Sequence, residues 1–144
     1  MSNRCSFEAY VRPEHAEAFA DIVFGGAGFE EGPEDAQLTN AVYFSDPEAD
    51  YGHHGACIEA AKQGLEFITI TDEGYDYGPA RGCAVDGKFH SVETDFHGYL
   101  IVRVEEDGES DTPRIVEQDL DAIRPYLRAY RRVRAVLSGE RGEP

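Results

Sequence analysis

Basic side chains are scarce in this sequence of 144 residues, where 13 lysines and arginines stand against 29 aspartates and glutamates. The formal net charge is −16, and only two of the cations, Lys62 and Lys88, are lysines. A chain of this charge repels phosphate groups, which argues against direct binding to nucleic acid or to an anionic membrane through a basic surface. If the protein has a charged partner, we expect that partner to be positive.

Long apolar runs are also missing. The best run, residues 98–102, has the length of a strand and falls far short of the roughly 20 residues that cross a bilayer. Charged residues such as Arg4, Glu8 and Arg12 interrupt the first 25 residues, where a secretion signal would need an apolar core. We therefore expect a soluble protein of the cytoplasm.

Cysteine and the common catalytic motifs are nearly absent. The three cysteines, Cys5, Cys57 and Cys83, form no CxxC pair, so reduced thiols are expected rather than a disulfide framework. The glycines at 25–28 follow a predicted helix instead of a strand, and no GxxxxGK[ST] motif or nucleophile elbow occurs. The sequence thus indicates neither a nucleotide or other cofactor nor a catalytic residue, and we expect a protein that is not an enzyme.

Local patterns predict one α+β domain over residues 1–139, followed by a frayed tail at residues 140–144. Alternating or β-branched segments predict strands, Asp86-Gly87 predicts a tight hairpin, and helical spacing predicts helices that end at Gly25 and Gly64. The predicted strands are residues 5–11, 38–45, 65–71, 83–85, 88–90 and 96–104, and the first two helices lie at 13–24 and about 56–63. This β-α-β-α-β-β-β-α order favours a mostly antiparallel sheet with its helices on one face.

The C-terminal segment is helical in its spacing from Pro113 onward and rich in arginine. Pro125 lies in its middle, so we expect the helix to be kinked or broken there. Residues 112–144 carry a net charge of +2, whereas residues 1–111 carry −18. The arginines at 124, 128, 131, 132 and 134 are therefore predicted to pair with the acidic body rather than with nucleic acid.

The acids of the body occur in clusters within predicted loops, and one cluster alternates with tyrosines. Aromatic side chains mixed with charge are typical of protein interfaces. We therefore predict a non-enzymatic protein that docks on a basic, nucleic-acid-handling protein and inhibits it, as nucleic-acid mimics of the anti-restriction or anti-CRISPR kind and nuclease immunity proteins do. The predicted partner-binding residues are Glu30, Glu31, Glu34, Asp35, Asp46, Glu48, Asp50, Asp72, Glu73, Tyr75, Asp76 and Tyr77.

Two other hypotheses fit the same sequence. His53 and His54 stand four and three residues before Cys57, a helical spacing that, with Cys83, could supply a small metal site or an enzyme built around it. Alternatively, the acid excess and the shortage of lysine are an adaptation of a housekeeping domain to a salty cytoplasm, with no charged partner at all.

Overall fold

A computed structural model describes residues 4–26, 30–31, 38–72, 78–106, 108 and 111–139, with the backbone alone at residues 4, 30, 31 and 50. These residues form an α+β fold, as predicted. The strands are β1 (Arg4–Val11), β2 (Glu30–Glu31), β3 (Val42–Asp50), β4 (Phe67–Thr71), β5 (Ala80–Val85), β6 (Lys88–Glu93), β7 (Val104–Glu105) and β8 (Arg114–Ile115), and the helices are α1 (Ala16–Phe24), α2 (His54–Lys62) and α3 (Glu117–Leu137). The predicted tail at 140–144 lies outside the described residues.

The main sheet has the order β2-β3-β1-β4-β5-β6, and every neighbouring pair is antiparallel. β1 lies between β3 and β4, which therefore run parallel to each other and are connected by α2 on one face. β6 runs in the same direction. The C-terminal ends of β3, β4 and β6 consequently meet at one end of the sheet, together with the first residues of β1 and β5.

One face of the sheet is covered by α1 and α2. Phe7, Ala9 and Val11 alternate along β1 and are completely buried, as predicted. They pack against apolar side chains of both helices, including Phe19 of α1 and Cys57 of α2. The predicted ends of the helices are also confirmed, because Gly25 and Gly64 adopt left-handed backbone angles just after α1 and α2.

The opposite face is covered by α3, so the prediction that all helices lie on one face is wrong. Ile68 of β4 and Cys83 and Val85 of β5 point away from α1 and α2 and form a second core with Ile123 and Val133 of α3. The reason is that β4 and β5 carry buried apolar side chains on both faces, Phe67 and Ala84 on one and Ile68, Cys83 and Val85 on the other, and each set must be covered. None of the helices in the described part of the chain is long and apolar enough to cross a membrane.

Pro125 lies inside α3 and does not break it. A proline within a helix removes one hydrogen bond to the carbonyl four residues earlier, a cost of about 3 kcal/mol. Ile123 and Tyr126 on either side of the proline are both buried against the sheet, and this packing outweighs the local cost. The end of the helix is held by Asn40, whose N–H donates to the carbonyl of Leu137 at 2.8 Å.

The arginines of α3 pair with the body less than predicted. Arg132 binds the carboxylate of Asp86 in the β5–β6 turn at 2.5 Å, and Arg124 lies 3.8 Å from Asp121 of its own helix. Arg128 and Arg131 form no ion pair with any described residue. The prediction is therefore confirmed for Arg132, whereas Arg128 and Arg131 remain exposed to solvent.

β3 extends five residues further than predicted and passes through Asp46 and Pro47, where the sequence predicted a turn. The pairing with β1 shifts here, since Cys5 is opposite Ala49 and Phe7 is opposite Asp46, which leaves one extra residue in β3. This β-bulge accommodates Pro47, because a bulged position does not need the missing N–H. The carboxylate of Asp46 stabilises the bulge by accepting the N–H of Glu48 at 3.0 Å.

The predicted strand at 96–104 is also wrong. Residues 95–99 form a tight turn, Leu100 makes an isolated bridge to Thr94, and only Val104–Glu105 is a strand. Its partner is β8, not the main sheet. The predicted hairpin is confirmed, because Asp86 and Gly87 adopt φ angles of 55° and 80° between β5 and β6.

We expect the stability of this fold to decrease at alkaline pH. Burial raises the pKa of the Cys83 thiol from about 9 to about 12, and burial also raises the pKa values of Cys57 and Tyr126. Above pH 9 the unfolded chain therefore releases thiol protons that the folded protein retains, so the free energy of unfolding falls between about pH 9 and pH 12. Urea midpoints at pH 8, 10 and 11 measure this decrease. The fall in stability with pH should be smaller in a Cys83→Val variant. An equal fall in the variant and the wild type would contradict the role of the Cys83 thiol.

Candidate partner-binding surface

One end of the main sheet collects carboxylates from three separate segments. Phe7 of β1 is opposite Asp46 of β3 on one side and Thr71 of β4 on the other, so the β3 bulge and Asp72 flank the same strand. Across β5, Ala80 is opposite Glu93 at the end of β6. We call this region the acidic end and define it by Asp46, Glu48, Asp50, Asp72, Glu93 and Asp95. Four strand spacings separate β3 from β6, about 20 Å.

The opposite end of the sheet is electrostatically balanced. There Arg12 binds Glu14 at 2.6 Å and Glu66 at 3.0 Å, and Arg132 binds Asp86 at 2.5 Å. At the acidic end Arg4 is opposite Asp50, Arg81 begins β5, and Arg103 lies within the electrostatic range of Glu93. The acids nevertheless outnumber these bases, and the exposed carboxylates of Asp72 and Glu93 form no ion pair within 4 Å with any described residue. The charge of the body is therefore unevenly distributed along the strand direction.

Asp46 is a half-buried member of the acidic end. One carboxylate oxygen accepts the N–H of Glu48, and the other lies 2.8 Å from Nε2 of His53. The side chains of Asp46 and His53 are only 15% and 18% exposed. The imidazole also packs edge-on against the rings of Phe7 and Phe24, at centroid distances of 5.0 and 5.2 Å. Asp46 thus contributes charge to the surface, while its oxygens are engaged inside the protein.

The structure brings three of the twelve predicted residues together with described side chains, namely Asp46, Glu48 and Asp72. Asp50 ends β3 at the same end, and Glu30 and Glu31 pair along the outer side of β3, opposite Ser45 and Phe44. The other six predicted residues, Glu34, Asp35, Glu73, Tyr75, Asp76 and Tyr77, lie outside the described residues. Their role in binding stays a prediction.

A turn at the acidic end exposes two aromatic residues that sequence reasoning missed. Phe96 and Tyr99 are 76% and 73% exposed. The carboxylate of Asp95 holds the turn by accepting the N–H groups of His97 at 2.8 Å and Tyr99 at 2.9 Å, and the N–H of Gly98 donates to the carbonyl of Asp95. Aspartate at the first and glycine at the fourth position are typical of a type I turn, and this signal was hidden by the apolar alternation that predicted a strand.

A third exposed aromatic residue, Tyr51, follows the end of β3. Tyr51, Gly52 and His53 all adopt left-handed backbone angles, with φ of 50°, 61° and 55°. Such angles are unfavourable for residues with a side chain, so two of these three positions are strained. This backbone leaves Tyr51 58% exposed while His53 turns inward to Asp46.

A cavity of about 220 Å³ lies between the start of α2 and the sheet, next to the acidic end. It is lined by Tyr51, Gly52, His54, Thr69, Thr71, Ala80, Arg81, Phe89 and Ser91. Beside the cavity, Gly82 lies between Thr69 and Ser91 in the register, and its missing side chain lets the ring of Phe89 and the hydroxyl of Thr69 lie close to the sheet. A Cβ atom at residue 82 would lie 2.5 Å from Oγ1 of Thr69 and 2.6 Å from Cε1 of Phe89.

The predicted metal set is not assembled, and this hypothesis is wrong. Cys57 is buried between α2 and one face of the sheet, whereas Cys83 belongs to the core on the other face. His53 binds Asp46, and the ring of His54 packs against Phe89 at 5.6 Å. Among the described residues, no group of three histidine, cysteine, aspartate or glutamate side chains is arranged to hold a metal ion.

The acidic end combines exposed carboxylates with the exposed rings of Tyr51, Phe96 and Tyr99, and Tyr51 also lines the neighbouring cavity. No family model, curated protein or solved structure matches this chain. Aromatic side chains supply most of the binding energy in many protein interfaces, and carboxylates at the rim attract a cationic partner and speed its approach. The arrangement is therefore chemically suited to contact with a basic protein.

Proposed function

We propose that this protein is a non-enzymatic binding protein whose acidic end docks on a positively charged, nucleic-acid-handling protein and inhibits it. The observation that carries the proposal is the strand order, which gathers carboxylates from three segments and the exposed rings of Tyr51, Phe96 and Tyr99 at one end of the sheet. A surface that is negative and locally aromatic fits the groove in which such a partner holds nucleic acid, where phosphates and bases are bound.

The charge density of the acidic end supports this comparison in part. Duplex DNA presents about one charge per 1.7 Å of its axis, or about 12 charges over 20 Å. The six acids that define the acidic end, less Arg4 opposite Asp50 and Arg81 at the start of β5, leave a net charge of −4, about a third of that charge. Contact with the three aromatic rings provides the additional affinity that electrostatic attraction alone does not give.

Inhibition follows from occupancy of the partner's basic groove. Long-range attraction raises the association rate, and the aromatic contacts slow dissociation, so the nucleic acid is displaced by competition. The compartment that we propose is the cytoplasm. Cys57 and Cys83 are reduced thiols buried in the two cores, as is typical of proteins kept in a reducing environment.

The test compares two variants that change the net charge equally. Asp72→Lys combined with Glu93→Lys reverses two exposed acids at the acidic end, and Glu17→Lys combined with Glu59→Lys reverses two exposed acids on α1 and α2. Each immobilised protein captures partners from a lysate of its host, and the captured proteins are identified by mass spectrometry. We expect a basic nuclease or other nucleic-acid-binding protein to be retained by the wild type and the control, and lost from the acidic-end variant.

The captured partner is then purified for kinetic measurements. We expect the acidic-end variant to associate about tenfold more slowly than the control at 0.1 M salt, with the difference shrinking at 1 M salt. The wild type should inhibit the partner's action on nucleic acid. Equal capture by both variants, or a partner without nucleic-acid activity, would contradict the proposal. Folding that requires molar salt, with no partner retained, would instead favour adaptation to a salty environment.

A further inference from the structure

We propose that the cavity beside the acidic end receives one arginine side chain of the partner. This inference rests on the proposed function, and it identifies an arginine side chain as the group at the centre of the contact with the partner. The cavity volume of about 220 Å³ is below the roughly 300–1,000 Å³ of typical small-molecule sites, but suits a single long side chain. Its position between Tyr51 and the ends of β4, β5 and β6 places it where the partner would meet the acidic end.

The cavity offers hydroxyl oxygens as hydrogen-bond acceptors. Thr69 is only 3% exposed and lines the cavity. Thr71 donates its hydroxyl to the carbonyl of Ala80 at 3.3 Å, which leaves its oxygen lone pairs as acceptors. Ser91 adds a third hydroxyl on the same face of the sheet. A guanidinium carries five N–H donors in a fixed plane and can bind several such acceptors at once.

The walls of the cavity are aromatic. The ring of Phe89 stands over Gly82, with His54 packed against it and Tyr51 exposed at the rim. Arginine stacks on aromatic rings more often than lysine does, because its charge is delocalised over a plane and is weakly hydrated. The apolar stem of the same side chain would be covered by the ring of Phe89.

Electrostatics at the cavity favours a cation over an anion. Glu93 occupies the same register row as Thr71 and Ala80, and Asp72 directly follows Thr71, so two exposed carboxylates flank the cavity. Arg81 lines the cavity, but its side chain belongs to the other face, where its guanidinium packs against Gly98. A negatively charged ligand would be repelled by the carboxylates, and a purely apolar side chain would bring no donor to the hydroxyls of Thr69, Thr71 and Ser91 that line the cavity.

A direct test uses N-acetyl-arginine amide as the probe and N-acetyl-citrulline amide, its neutral analogue of the same shape, as the matched control. Each is titrated into the ¹⁵N-labelled protein at low salt and followed by NMR. We expect the arginine probe to bind with a dissociation constant on the order of 1 mM and to shift the amide signals of residues 69, 71, 82 and 91. The citrulline probe should bind at least about fivefold more weakly. Equal shifts with both probes, or none with arginine, would overturn the proposal.

Two variants locate the binding of the probe. Ser91→Phe places a ring over the cavity at an exposed strand position and should abolish the shifts. Leu127→Ala changes an exposed apolar residue of α3, on the other face of the sheet, and should leave them unchanged. If the Ser91→Phe protein does not fold, Tyr51→Ala replaces it, with an expected loss of about fivefold in probe affinity. Shifts that persist in the cavity variant would place the probe elsewhere and refute the assignment.

Binding of the captured partner separates this inference from the proposed function. If Ser91→Phe or Tyr51→Ala weakens partner binding as the charge reversal of Asp72 and Glu93 does, both proposals stand. If only the charge reversal weakens it, the arginine site is wrong and the acidic end is still the docking surface. If neither change has an effect, the proposed function itself fails.

Discussion

Replacing Phe19 with alanine is expected to lower the free energy of unfolding by about 3–5 kcal/mol. The ring of Phe19 is completely buried between α1 and the sheet, with the rings of Phe67, Phe44 and Phe24 at centroid distances of 4.8, 5.6 and 5.8 Å. Removing it leaves a cavity that these rigid neighbours cannot close, and it also removes three aromatic contacts. Because domains of this size are stable by about 5–15 kcal/mol, the variant should be close to unfolding at room temperature.

The matched control is the same substitution at Phe96. Since this side chain is 76% exposed, Phe96→Ala should change the free energy of unfolding by no more than about 0.5 kcal/mol. Urea denaturation followed by circular dichroism measures both variants. A loss below 1 kcal/mol for Phe19→Ala would mean that the α1 face is not the main core, and a large loss for Phe96→Ala would mean that the turn at the acidic end is not exposed in solution.

Replacing Gly82 with alanine is expected to destabilise the protein by about 2–3 kcal/mol, although alanine is usually the better residue in a regular element. The new Cβ atom would approach Oγ1 of Thr69 to 2.5 Å and the ring of Phe89 to 2.6 Å. Thr69 is buried and lies on the central β4, so it has no room to move, and Phe89 would have to give up its stacking on Phe67. The expected loss of stability in Gly82→Ala therefore comes from overpacking, since the new methyl group has no space.

Gly55 in the first turn of α2 provides a control at which the same substitution should raise the stability instead of lowering it. A Cβ atom at residue 55 would meet no atom within 4 Å, so Gly55→Ala should stabilise the protein by about 0.5–1 kcal/mol. In a Phe89→Ala background, where the clash with the ring is gone, Gly82→Ala should lose much of its effect. If Gly82→Ala and Gly55→Ala have the same sign, or if the Phe89 background makes no difference, the close approach at Gly82 is refuted.

The parts of the fold that the sequence predicted correctly are those decided by local patterns. The alternation in β1, the apolar spacing and terminal glycine of α1, and the Asp86-Gly87 hairpin each depend on a few consecutive residues. The backbone preferences of these residues and the burial of one set of side chains point to the same structure. The structure therefore agrees with these three predictions, because the tertiary packing favours the same conformations as the local sequence.

The errors occurred where distant contacts outweigh local preferences. The break, one of the two outcomes expected at Pro125, is absent because Ile123 and Tyr126 pack on the sheet, and a kink there stays a prediction. Pro47 stays in a strand because the β-bulge opposite β1 accommodates it. Helix α3 packs on the face opposite α1 and α2, because the apolar side chains of β4 and β5 on that face are not covered by the first two helices. None of these outcomes is encoded within a window of consecutive residues.

The candidate surface was predictable in composition but not in geometry. The acid clusters were visible in the sequence, whereas their gathering at one end depends on the insertion of β1 between β3 and β4. Phe96 and Tyr99 were missed because they were assigned to a strand, and the cavity could not be inferred because Gly82 and Ser91 are neighbours only through strand pairing.

The bulge at Asp46 and Pro47 has a consequence for the behaviour of the protein at high concentration. Among the described residues, no strand pairs with residues 46–50 on the outer side of β3, beyond the short pairing with β2. Pro47 offers no N–H, and the irregular backbone interrupts the even spacing that an added strand would require. Strand addition along this stretch, the first step of fibrous aggregation, is thereby disfavoured.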